Sequence, residues 1–170
     1  MNLVQTATVG NRSFRSVRND PEYRALTAEE ADSLQGQREI VSDLLRERFD
    51  TYSLPALRSD LPMLQQILDG GVLNSAQEQE WAAVGIVFGD VLAAELGLEW
   101  CVFTTENESE PALTTDDFSL TLFPRRMLSS HFEDDEEIQL DSLMEHLASH
   151  WNDMRARRTS RSGKRLVTTT

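Results

Sequence analysis

Two histidines four residues apart, in Glu145-His146-Leu147-Ala148-Ser149-His150, have the spacing most suggestive of chemistry in this chain. On a helix that spacing puts both imidazoles on one face, with Asp153 a turn further on, where a metal ion can bridge them. A metalloprotease helix places its glutamate directly after the first histidine. Here the glutamate precedes it, and spacing fixes no third ligand. His146 and His150 are therefore candidate metal ligands of a small metal-dependent hydrolase, weighed against the plainer expectation of a solvated helix face. Cys101, the single cysteine, sits between Trp100 and Val102 and reads as a packed small hydrophobe rather than a nucleophile.

The carboxylates form three groups: Glu106, Glu108 and Glu110; Asp116 and Asp117; and the run Glu133, Asp134, Asp135, Glu136, Glu137. A catalytic pair needs a cleft that separates the two pKa values, and these groups fall in expected turns. The run at 133–137 lacks the ligand alternation and the glycine of a calcium loop. Carboxylates do accept arginine forks much as phosphates do. These ten residues are accordingly read as a docking surface for a cationic protein. No phosphate-binding glycine loop, nucleophile elbow or CxxC pair occurs in the sequence, so neither a cofactor nor a catalytic residue is expected.

Charge supports the same reading. The 170 residues carry a net −13, distributed unevenly: net −1 over residues 1–59, −18 over 60–153, where 20 acids face only Arg125 and Arg126, and +6 over 154–170. Free nucleic acid is repelled by such a centre, because phosphate contacts supply most non-specific affinity. Cationic proteins are attracted and steered toward it. The basic tail can pair with the acidic body of its own or another copy, which gives a self-associating adaptor as a further alternative. The chain has no secretory n-region and h-region pattern and no uncharged apolar stretch near 18 residues, so a cytoplasmic protein is expected.

Local patterns predict the elements that position these groups. Residues 1–26 read as an arm, 27–155 as one α+β domain and 156–170 as a basic tail. Thr27-Ala-Glu-Glu30 is a capping box that opens a helix running to Phe49. A short helix is expected over Asp60–Asp69, capped by Ser59 and ended by Gly70-Gly71. A third should open on the box Ser75-Ala-Gln-Glu78 and stop at Gly97. Gly85 and Gly89, four apart, would let another element approach this helix closely. Strands follow at Leu98–Thr104, Ala112–Thr115 and Phe118–Phe123, then a helical turn at Met127–Phe132 and a final helix over Leu140–Arg155.

The stretch Gly85-Ile-Val-Phe-Gly89-Asp90-Val-Leu-Ala-Ala-Glu-Leu-Gly97-Leu98-Glu99-Trp100 resembles the signature of a bacterial domain family of unknown function. In that family a G-x-x-x-G-D/E-x-L helix runs into L-G-L-x-W. A later strand ends in proline and a basic residue, as in Phe123-Pro124-Arg125-Arg126, before a closing helix. The resemblance covers about residues 60–152. It implies one α+β domain with helices on a small, mainly antiparallel sheet, and it brings no activity. Compact acidic bacterial proteins of this kind are often immunity proteins. The expected function is therefore inhibition or sequestration of a cationic partner, such as a cognate antibacterial toxin.

Overall fold

A computed structural model describes residues 22–50, 54–71, 73, 77–133 and 137–163, excluding the side chains of 130–133 and 159–163. The order is β1 (Glu22–Ala25), α1 (Ala28–Phe49), a 3-10 turn (Arg58–Asp60), α2 (Leu61–Asp69), α3 (Glu78–Leu96), β2 (Glu99–Thr104), β3 (Ser109–Thr114), β4 (Thr121–Leu122), α4 (Pro124–Glu133) and α5 (Leu140–Gly163). The architecture is α+β. The four strands form one antiparallel sheet in the order β1-β2-β3-β4.

The helix α1 starts where its capping box requires. Thr27 Oγ1 accepts the Glu30 amide at 3.2 Å, and the Glu30 carboxylate accepts the Thr27 amide at 2.9 Å. The entry to α2 differs from expectation. Ser59 does not cap it; the short turn 58–60 precedes it, and buried Asp60 turns its carboxylate back onto the Leu57 amide at 2.8 Å. The helix α3 begins at Glu78 after an uncapped Gln77, later than its expected box allowed, and Ser75 lies outside the described residues. It ends as expected, on Gly97 at φ +66.

α3 is the axis of the fold. Residues 83–89 along it are buried, as are Val91, Leu92 and Leu96. A helix apolar all round has to be covered on every side, and α1, α2, α4 and α5 all pack against it. The close approach promised by Gly85 and Gly89 is made by α4 and β2. A Cβ at Gly85 would lie 2.9 Å from Arg125 Cα, and one at Gly89 2.6 Å from the Trp100 ring. α4 is a ten-residue helix where only a turn was expected. Pro124 ends the strand region and also opens this helix, a position where its missing N–H costs nothing.

α5 extends to Gly163, well into the expected tail. Leu140, Met144 and Trp151 bury its inner face. Gln65 of α2 fixes its start, accepting the Leu140 amide at 2.8 Å and donating to the Ile138 carbonyl at 2.7 Å. β1 is drawn from the expected arm and pairs with β2, Tyr23 opposite Phe103 and Ala25 opposite Cys101. No helix among the described residues is long and apolar enough to cross a membrane.

Candidate functional site

The sheet has two unlike faces, set by the two-residue period of its strands. Trp100, Leu113 and Leu122 lie on the face toward the helices. On the other, register aligns Tyr23, Phe103 and Glu110 in one row, Ala25, Cys101 and Ala112 in the next, then Glu99, Thr114 and Thr121. The small middle row leaves room for Tyr23 to reach from β1 across to β4, where its hydroxyl hydrogen-bonds Thr121 Oγ1 at 3.0 Å. Tyr23 meets Phe103 edge-on at 5.3 Å and stacks on Phe118 at 4.6 Å, while Phe103 meets Phe123 edge-on at 5.2 Å. Arg126 lies 5.6 Å above the Phe123 ring.

Phe118 is the outlier of this aromatic row. It sits in the β3–β4 turn at φ +54 and remains 53% exposed. A bulky side chain in the left-handed region carries backbone strain, which persists only where surrounding contacts hold it. The contacts are visible. Thr115 accepts the Phe118 amide at 2.9 Å, Asp117 accepts the Thr115 hydroxyl at 2.8 Å and the Ser119 amide at 3.1 Å, and Tyr23 stacks on the ring. Beside the stack opens a cavity of about 350 Å³, lined by Tyr23, Phe118, Thr114, Glu99 and Asp116 among others. Arg24 also lines it, but its guanidinium is engaged by Glu30 at 2.7 and 2.6 Å. Neither Glu99 nor Asp116 joins an ion pair among the described residues.

The expected docking acids fare unevenly. Glu108 and Glu110 are not free for a partner, because both bind Arg126, Glu110 at 2.7 Å. Asp117 binds Arg158 of α5, a base from the expected tail. The hydroxyls of Ser119 and Thr115, and then Arg158, hold its carboxyl well below the usual carboxylate range. Glu106 and Asp116 are exposed, as is Glu137. Asp134, Asp135 and Glu136 lie outside the described residues, as does the side chain of Glu133.

His146 and His150 are both exposed on α5. No group of three His, Cys, Asp or Glu side chains arranged to hold a metal occurs among the described residues. Cys101 is buried, and burial pushes its thiol up, away from the reactive thiolate.

A second polar cluster lies inside the fold. Arg38 of α1 grips Asp90 of α3 with both prongs, at 2.7 and 2.8 Å, and the Trp100 indole donates to the same carboxylate at 2.9 Å. Gly85, Gly89, Asp90, Trp100 and Pro124 thus converge where α1, α3, α4 and β2 meet. Sequence reading missed Arg38, because its partner lies 52 positions away. It also missed Tyr23, in the presumed arm, and the aromatic row. Phe118 was expected to open a strand over Phe118–Phe123, whereas β4 holds only Thr121–Leu122 and Phe118 lies in the turn before it; an apolar residue flanked by Asp117 and Ser119 was the available signal.

The fold is thus an α+β domain with a helix-covered sheet face and an aromatic, acid-edged one. Residues 60–143 match the family model of a domain of unknown function, DUF3806, a segment running from the start of α2 to the first turn of α5. No curated protein matches the sequence. A crystal structure of a protein from Bacteroides thetaiotaomicron VPI-5482, at 1.50 Å resolution, is similar over 76% of this chain with a TM-score of 0.68 and 21% identity. The chain spans 48% of that protein, about half its length, and the likeness concerns the fold alone.

Proposed function

We propose that this chain is an acidic binding protein that inhibits or sequesters a cationic protein partner, in the particular form of an immunity protein against an antibacterial toxin. We read its matched domain as the bacterial family whose GxxxGD and LGLxW residues meet around Asp90, and the protein as cytoplasmic. The observation that carries the reading is the turn at the edge of the aromatic sheet face, where exposed Phe118 stands beside a cavity lined by Glu99 and Asp116, which have no ion-pair partner among the described residues. An aromatic centre with a charged rim is how protein interfaces are commonly built. The net −18 of residues 60–153 adds long-range steering of a basic partner. Internal pairing of Glu108, Glu110 and Asp117 moves the docking surface toward Glu99, Glu106 and Asp116.

The test is capture of partners on the full-length protein from its native lysate at about 0.15 M and about 1 M salt, where the screening lengths are about 8 and 3 Å. One basic protein bound in stoichiometric amount, and weakened at high salt, is the expected outcome. Equal capture by a variant carrying Glu99→Lys, Glu106→Lys and Asp116→Lys would remove the reading.

A further inference from the structure

We infer that the cavity beside Phe118 is a socket for a single arginine side chain of the cationic partner. This rests on the function proposed above and names the contact that would give it specificity.

The cavity of about 350 Å³ lies near the lower end of ligand-pocket sizes. That suits one long side chain rather than a cofactor. Its chemistry has two parts. Tyr23 and Phe118 stack with their rings 25° from parallel, and Phe118 keeps about half of its surface open to solvent. A planar cation can extend such a stack, because the ring faces carry negative potential. Two acidic residues, Glu99 and Asp116, line the same cavity, neither of them neutralised by a described partner. The one lining cation among the described residues, Arg24, is held in the Glu30 fork, so it does not reverse the sign of the site.

A guanidinium meets both requirements at once. It stacks flat on an aromatic ring and donates in a fork to carboxylates, whereas an ammonium acts as a compact, strongly hydrated point charge. A neutral side chain of the same shape would keep the stack and lose the charge attraction to the carboxylates. Strain at Phe118 fits this use: the turn holds the aromatic outward at φ +54 although a glycine would sit there without strain.

The experiment follows amide resonances of the isotopically labelled full-length protein during titration with three capped tripeptides, Gly-X-Gly, where X is arginine, lysine or citrulline. Citrulline is the neutral, near-isosteric counterpart of arginine. The expected result is a set of shifts confined to Glu99 and the turn 114–118, saturating with arginine. Binding should be weaker for lysine and about ten-fold weaker or worse for citrulline. Phe118→Gly, which relieves the backbone, and the near-isosteric pair Glu99→Gln and Asp116→Asn should each abolish those shifts. The proposal is overturned if arginine and lysine give equal shifts spread over all acidic surfaces, if Phe118→Gly changes nothing, or if no shifts appear. Should partner capture persist undiminished in Phe118→Gly, the binding function stands and only the socket falls. Should no partner be captured while the peptide result holds, the socket stands and the inhibitor reading falls.

Discussion

Glu30 receives three donors: both prongs of Arg24 and the amide of Thr27. The Arg24 hydrogen bond, followed by that of Thr27, lowers its carboxyl to about 2. Asp117 is shifted the same way by Ser119, Thr115 and Arg158. A carboxylate more acidic in the folded than in the unfolded chain adds stability above its unfolded pKa, and that stability is lost as pH falls through the folded value. Between about pH 4.5 and 2 the unfolded chain binds more protons at these sites, so stability must decline across that window. Denaturant midpoints measured at pH steps from 5 to 2.5 should fall less steeply for Glu30→Gln than for the parent; identical slopes would mean that Glu30 is not a source of the decline. The capping half of this arrangement was legible, because Thr27 and Glu30 are three residues apart and a box is a local pattern. The Arg24 half was not, nor were Arg126 with Glu110 and Arg158 with Asp117, since spacing along the chain carries no information about which bases the fold brings to which acids. That is why three of the ten expected docking acids proved to be occupied.

At the scale of elements, the glycines of α1 and α3 make a controlled comparison. Gly36 of α1 has open space where a Cβ would go, while Gly85 faces the backbone of Arg125 and Gly89 the Trp100 ring. Gly36→Ala should therefore stabilise the protein by about 0.5–1 kcal/mol, the helix-propensity gain. At Gly85 the same gain is outweighed by overpacking against backbone that cannot step aside, and Gly85→Ala should destabilise by about 1–3 kcal/mol. Thermal melts of the two variants should move in opposite directions; a rise for both would mean that α4 does not approach α3 so closely. The two glycines announced a close approach in the sequence, but not its partner. Period signals likewise placed α1, α3, β2 and α5, and capping signals the start of α1 and the end of α3, where propensity and tertiary packing agree. They fell short at α4, where only a helical turn over Met127–Phe132 was expected; the ten-residue helix Pro124–Glu133 packs along α3. At α5 they placed the start, Leu140, but foresaw neither its capping by Gln65 of another helix nor its extension from Arg155 to Gly163.

Across the whole molecule, the Arg38–Asp90–Trp100 cluster ties the first helix to the central helix and the sheet. Both ionic partners are substantially shielded, at 30% and 16% side-chain exposure. Removing one leaves the other without its charge-assisted bonds, so Asp90→Ala should cost about 2–4 kcal/mol in denaturant unfolding. The pair Arg38→Met with Asp90→Leu should cost less than the two single changes summed, because neither charge is then left unmatched. Simple additivity would show that the two side chains do not act together. The strand order has a consequence in time rather than in energy. β2, β3 and β4 follow one another, with Thr104 opposite Ser109 and Thr114 opposite Thr121, so they close short loops. β1 pairs with β2 across 82 positions, Glu22 opposite Thr104. Closure of so long a loop is entropically dearer and slow to reach. The three-stranded meander should therefore assemble first, and β1 should zip on afterwards as a separable unit. In native-state hydrogen exchange, the amides of 22–25 should open before those of β2 and β3. Because β1 carries Tyr23, each such opening would dismantle the aromatic row and reset the turn that holds Phe118.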